Sequence, residues 1–137
     1  MSLKKSIGLL PTASDVTRFN AWFDLECAAS GVERRLAANL KLCINEVLAN
    51  LISYGFSDTP APMTAVEIDL RPGRASAKVI DNGLYFDLRD WPPVSKDRDL
   101  LTGPPGGFGI ALIKERATAM SYQRIGDLNE FEIVCEG

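Results

Sequence analysis

The 137-residue sequence contains no histidine. That excludes Ser-His-Asp and Cys-His catalysis and every histidine-ligated metal site, so carboxylates, amides, hydroxyls and backbone amides must carry any chemistry. Its three cysteines, Cys27, Cys43 and Cys135, have no Cys-x-x-Cys spacing. The odd count and apolar surroundings point to reduced, buried thiols, and a reducing cytoplasm is the simplest compartment. No segment approaches the roughly 18 apolar residues of a membrane span, and the first ten residues lack the apolar core and cleavage site of a secretory signal, so no membrane partner is expected. Positive charge is not in excess either. Fifteen Lys and Arg are set against eighteen Asp and Glu, for a formal net charge of −3, and the cations are scattered, which argues against direct nucleic-acid binding.

What is present is an ordinary globular composition, 46% hydrophobic and 24% charged, with no internal repeat or low-complexity tract. One domain over residues 1–137 is expected, long enough to build a core without staples. Leu3 to Leu10 reads as a short strand closed by Pro11. Thr12 or Ser14 caps a helix with Val16, Phe19, Trp22, Phe23 and Cys27 at helical spacing, ended by Gly31. Its aromatic stripe reads as core or dimer face. A longer helix runs from Glu33 to Tyr54, with Leu36, Leu40, Cys43, Ile44, Val47 and Leu51 in one stripe. Val66, Ile68 and Leu70 alternate with Glu67 and Asp69; Pro72-Gly73 then turns the chain into a second strand over 75–80. Residues 87–106 are rich in Pro, Gly, Asp and Arg and far exceed the median loop length of about 4–6 residues, which marks a functional lid or a disordered segment. A helix over 110–120 and a hairpin with strands at 122–125 and 131–135 close the chain. The expected fold is α+β: a two-layer sandwich whose mixed, mostly antiparallel sheet is covered on one face by helices.

Three local patterns carry candidate chemistry, each with a plain structural alternative. Glu46 and Asn50 sit one turn apart at the solvent border of the long helix's apolar stripe. They suit proton acceptance and magnesium ligation, or they form a solvated helix edge. Asp81, Asn82 and Gly83 follow a strand, where an acid accepts a hydrogen bond from an exocyclic amine and glycine lets the backbone approach a ligand; Asn-Gly is equally a turn signal. Gly103, Gly106, Gly107 and Gly109 cluster before a helix, as a phosphate cradle or a hinge.

The order of these patterns, INEVLAN at 44–50, VIDNG at 79–83 and GGFGIALI at 106–113, resembles the motif sequence of the histidine-kinase-like ATPases, the Bergerat ATP-binding fold shared with gyrase and the Hsp90 chaperones. Within that superfamily the chain is similar, over nearly its whole length, to the free-standing anti-sigma factor serine/threonine kinases of bacteria. The resemblance implies ATP and Mg²⁺ as cofactors, with Glu46 as catalytic base, Asn50 as magnesium ligand, Asp81 as adenine anchor, Gly83 admitting the base, and Gly107 and Gly109 facing the phosphates. It implies as partners a sigma factor and an anti-anti-sigma (STAS-type) protein that is the phosphoacceptor, and it favours a homodimer. Two positions depart from the family's pattern: Tyr54 stands where a histidine often follows the Asn, and Tyr85 where a second glycine is usual. They keep open an alternative, a degenerate nucleotide-binding or protein-capture module without phosphotransfer. Trp91 and Phe108 read as nucleotide cover or partner dock, and the charge run at 96–99 as solvated.

Overall fold

The computed structural model describes residues 2–56, 59–84 and 107–137. The expected lid over 87–106, with Trp91, the 96–99 charge run, Gly103 and Gly106, lies outside the described residues, as does Tyr85. Strand β1 (Leu3–Leu9) leads into helices α1 (Ala13–Ser30) and α2 (Arg34–Asn50), then strands β2 (Thr64–Arg71) and β3 (Arg74–Asp81), helix α3 (Gly107–Arg116), and strands β4 (Ala119–Ile125) and β5 (Leu128–Glu136). The sheet order is β1-β2-β3-β5-β4, and every pairing among the described residues is antiparallel.

The local signals act largely as expected. Thr12 caps α1, its hydroxyl accepting from the Asp15 N–H at 3.2 Å, while the Asp15 carboxylate reaches back to the Leu10 N–H at 2.6 Å and so fixes the entry of the chain. Gly31 ends the helix in the left-handed conformation at φ 78°. Gly73, at φ 86°, makes the turn between β2 and β3. The last helix is displaced from its expected span: it starts at Gly107 and stops at Arg116, because the Thr118 N–H already pairs with the Val134 carbonyl at 2.7 Å. The closing hairpin is correspondingly longer than expected, turning at Gly126 (φ 57°), the last residue before Asp127 and β5.

Strand alternation puts one set of side chains against the helices. In register across β2, β3 and β5 these are Val66–Val79–Phe131, Ile68–Ala77–Ile133 and Leu70–Ala75–Cys135, all buried. Onto these rows pack Phe19 and Phe23 of α1, Leu36, Leu40, Ile44 and Val47 of α2, and Ile113 of α3. Phe19 meets Phe23 edge-on at 5.5 Å between ring centroids, so the aromatic stripe is core.

Helix α2 is matched to β3 in length and pinned to the sheet at both ends. Seventeen helical residues span about 25 Å and eight strand residues about 26 Å. At the start, the Glu33 carboxylate accepts from the Gly73 N–H at 2.9 Å; beyond the end, the Gly55 carbonyl accepts from the Leu84 N–H at 2.9 Å. The helix and β3 therefore run the same way and deliver their last residues to one end of the sandwich. Leu40 lies fully buried in α2 and Leu25 is 73% exposed on α1, so Leu40→Ala should cost about 2–5 kcal/mol of unfolding free energy and Leu25→Ala less than about 0.5 kcal/mol, read by urea denaturation.

Candidate functional site

The next row of the sheet's buried face changes character. In phase with the apolar rows, Thr64, Asp81 and Asn129 lie side by side across β2, β3 and β5, and all three are buried. Burying polar groups is costly unless they are bonded, and here they are. The Thr64 hydroxyl donates to the Ile80 carbonyl at 2.7 Å. Asp81 Oδ1 accepts from the Gly83 N–H at 2.8 Å and from Asn129 Nδ2 at 2.9 Å. Asn129 Nδ2 also reaches the Leu84 carbonyl at 2.8 Å, while its Oδ1 accepts from Arg124 Nη1 at 3.1 Å and from the Tyr122 hydroxyl. Burial pushes the Asp81 carboxyl above its ordinary range, and the Asn129, Gly83 and Arg124 contacts oppose that rise. Both of these bonds converge on Oδ1, and among the described residues none reaches Oδ2.

Gly83 makes a close approach within the protein. Its backbone is not in the left-handed region, so Asn82-Gly83 is not a hairpin turn of the Asn-Gly type. A Cβ at Gly83 would overlap the Gly55 carbonyl oxygen and stand 3.0 Å from Asp81 Oδ1; the glycine is required because the end of the α2 segment passes against it. Asn82 is used structurally, its side-chain oxygen accepting from the Met63 N–H at 2.8 Å and its amide donating to the Ala61 carbonyl at 3.1 Å.

Glu46 and Asn50 come to the same end of the sandwich on α2. Glu46 is half-buried, and desolvation raises its carboxyl above the usual 4.5. Asn50 departs from its expected place at the solvent border, being 1% exposed. After it the expected α-helix to Tyr54 gives way to a π-helical turn, Leu51–Gly55, with Tyr54 within it; such turns recur at functional sites. Asn50 Nδ2 donates back to the Glu46 carbonyl at 2.8 Å, which leaves Oδ1 buried with no partner among the described residues. An orphaned acceptor costs about 1–3 kcal/mol. A hard amide oxygen held this way is the donor type magnesium takes, so the residue present fits that ion.

Helix α3 supplies the fourth part. Arg116 at its end reaches Asn39 in the first half of α2 at 3.5 Å, and the two helices pack together. Gly107 and Gly109 lie in the first turn of the ten residues of α3. Unhindered N–H groups at a helix start form an anion-binding end.

Sequence reading missed Asn129, Arg124, Tyr122 and Gly55. A signal for Asn129 existed: in Leu128–Glu136 it is the one polar residue in phase with Phe131, Ile133 and Cys135. Elsewhere, a groove of about 860 Å³ on the opposite, open face of the sheet is lined by Lys4, Ser6, Glu67, Asp69, Lys78 and Glu132 among others; its alternating charges are those of a solvated sheet face, away from this site. No helix among the described residues is long and apolar enough to cross a membrane. For the close approach at Gly83, Gly83→Ala should destabilise the fold by about 1–3 kcal/mol, whereas Gly8→Ala, with open space around its Cβ position, should be neutral or slightly stabilising by thermal melt.

A profile of the histidine kinase-like ATPase domain family matches residues 10–134. The chain is 32% identical over 123 residues to the serine/threonine-protein kinase BtrW of Bordetella bronchiseptica, covering 87% of this chain and 84% of that protein. Among solved structures, the histidine kinase domain of the Erythrobacter litoralis EL346 blue-light activated histidine kinase aligns at a TM-score of 0.46 and 15% identity, over 90% of this chain and 59% of that one. A further structure of the EL346 kinase aligns at 0.46 and 19% identity, over 77% of this chain and 31% of that one; the chain thus spans less than two thirds of either structure. On the family profile and the BtrW identity, the chain belongs to the histidine kinase-like ATPase domain family, in its serine/threonine kinase branch.

Proposed function

We propose that this kinase-like ATPase uses magnesium-ATP to phosphorylate a serine or threonine of an anti-anti-sigma (STAS-type) protein and captures a sigma factor, as an anti-sigma kinase in bacterial partner switching. The observation that carries the nucleotide half is the buried Asn50 Oδ1, without a partner among the described residues, one helical turn from half-buried Glu46 and at the same end as Asp81. Similarity to a protein named as a serine/threonine kinase supports the phosphoacceptor class.

In this reading Asp81 receives the exocyclic amine of adenine on the oxygen that Gly83 and Asn129 leave alone. Asn50 Oδ1 holds the metal, and the start of α3 at Gly107 and Gly109 receives phosphate oxygens through backbone N–H groups. Magnesium, when bound, neutralises charge on the phosphates. Glu46 takes the proton of the attacking hydroxyl; partial desolvation raises its basicity, which suits a general base. Phosphoryl transfer depends mainly on positioning and charge neutralisation, so this set suffices without histidine.

Calorimetric titration with ATP, with and without magnesium, tests the site. Asp81→Asn should weaken ATP by about 1.5–3 kcal/mol. Glu46→Gln should leave ATP affinity unchanged and lower phosphotransfer to the cognate anti-anti-sigma protein by roughly 100- to 10,000-fold. Because a base works deprotonated and the Glu46 carboxyl lies above 4.5, wild-type turnover should fall as pH drops through that raised value, a limb that Glu46→Gln should lack. Magnesium-assisted ATP binding without phosphotransfer to any such partner, with partner capture insensitive to Glu46→Gln, would instead establish a protein-capture module.

A separate test concerns the orphaned oxygen. Asn50→Leu removes the buried acceptor at similar volume, so the free chain should keep or raise its melting temperature while the effect of magnesium on ATP binding disappears. Loss of stability together with an intact magnesium effect would remove Asn50 from the metal site.

A further inference from the structure

Asn129 has every hydrogen-bonding position occupied within the protein. Its two amide hydrogens face acceptors, Asp81 Oδ1 at 2.9 Å and the Leu84 carbonyl at 2.8 Å, with the Gly83 carbonyl at 3.4 Å. Its oxygen faces donors, Arg124 Nη1 at 3.1 Å and the Tyr122 hydroxyl. Turning the amide over would set oxygen against carboxylate and amide hydrogens against a guanidinium, so the surroundings fix its orientation. At 3% exposure and fully engaged, it has no hydrogen bond left for a ligand. What it controls is Asp81 and the path of the chain at Gly83 and Leu84, which Arg124 grips again through the Gly83 carbonyl at 3.0 Å.

We propose that Asn129 is a positioning residue for base selection: by donating to Oδ1 of Asp81 and to the Leu84 carbonyl, it fixes Oδ2 as an acceptor that favours 6-amino purines over 6-oxo purines. The inference rests on the nucleotide reading of the site. An ionised carboxylate accepts only and matches an exocyclic amine; a protonated one donates and matches a carbonyl at the same ring position. Burial favours the protonated form of Asp81, and the opposing groups are the Asn129 amide, the Gly83 N–H and the charge of Arg124. Among the described residues Arg124 on β4 is the charged group facing Asp81, and the phenol of Tyr122 is the other titratable group of the network. Asn129 thus helps hold Asp81 as the acceptor that distinguishes the two purine classes.

The test is calorimetric titration of the chain with ATP and with inosine triphosphate, which carries a carbonyl in place of the amine, between about pH 6 and pH 8.5. The wild type should prefer ATP by on the order of tenfold or more across that range. Asn129→Asp keeps the shape but sets a second carboxyl against Asp81, so the pair shares a proton; the preference should shrink several-fold, most at the acid end, where inosine triphosphate binding improves. Should that variant fail to fold, Arg124→Met, which keeps Asn129 and removes the facing charge, should narrow the preference in the same direction. Equal weakening of both nucleotides at every pH would reduce Asn129 to a structural residue and overturn the proposal. A wild type that binds ATP while the variants leave the ratio unmoved overturns base selection alone; a wild type that binds neither nucleotide overturns the nucleotide reading and this inference with it.

Discussion

Burying the Asp81 carboxylate is the constraint around which this end of the molecule is organised. A charged group at 6% exposure holds its charge only if its oxygens are bonded and compensating charge is near. Each neighbouring feature answers that demand. Gly83 bends its N–H back to Oδ1, β5 brings Asn129 alongside in register, and β4 brings Arg124 and Tyr122 behind Asn129. Three of the five strands thereby become part of one polar cluster, although the rows that follow on the same face are apolar. The fold can accommodate this because the polar row is the last one, where the sheet ends and the chain leaves it.

Asn50 poses the opposite case. Asp81 is buried with two hydrogen bonds on its Oδ1; Asn50 Oδ1 is buried and unsatisfied among the described residues. Stability alone would favour an apolar side chain there, since α2 already carries Leu36, Leu40, Ile44, Val47 and Leu48 into the core. A buried acceptor left open at a π-helical continuation is the kind of local penalty that persists where a ligand removes it. The two carboxylates differ in the same spirit. Asp81 sits in a network that opposes its desolvation, whereas desolvation raises the Glu46 carboxyl; on the proposed reading these environments suit one to accept a fixed hydrogen bond and the other to take up a proton.

Much of the framework was legible in the sequence because it rests on short-range signals. The Thr12 cap, the Gly31 stop, the Pro72-Gly73 turn and the period-2 run at Val66–Leu70 each act within a few residues, and each is where the pattern puts it. Glu46, Asn50 and Asp81 could be singled out because residue type and spacing carry their chemistry. The missed parts depend on register. Asn129 breaks the apolar phase of its own strand, but that break gains meaning from lying beside Asp81, 48 residues earlier. Gly83 looked like a turn or a ligand approach, and only the packing shows the Gly55 carbonyl against it. Burial of Asn50 was hidden for a related reason: a helical wheel places it at a border, and only the tertiary packing shows that border to lie inside the protein.

The division between sheet and helix has a mechanical consequence on the proposed reading. The base-recognition groups lie on β3, β4 and β5, whereas the metal ligand and the catalytic base lie on α2; phosphoryl transfer needs these sets at a fixed separation because it draws so heavily on positioning. Covalent continuity does not supply it, since the two are separated in sequence by the loop and the β2–β3 hairpin. The separation is set by the two pins of α2, Glu33 to Gly73 at one end and Gly55 to Leu84 at the other, with the apolar rows filling the span between. The second pin lies beside the polar cluster and shares Leu84 with it, since the Leu84 N–H is held by Gly55 and its carbonyl by Asn129. Leu84, three residues past β3, thus joins the end of the α2 segment to the network that holds Asp81, so the geometry of each depends on the other.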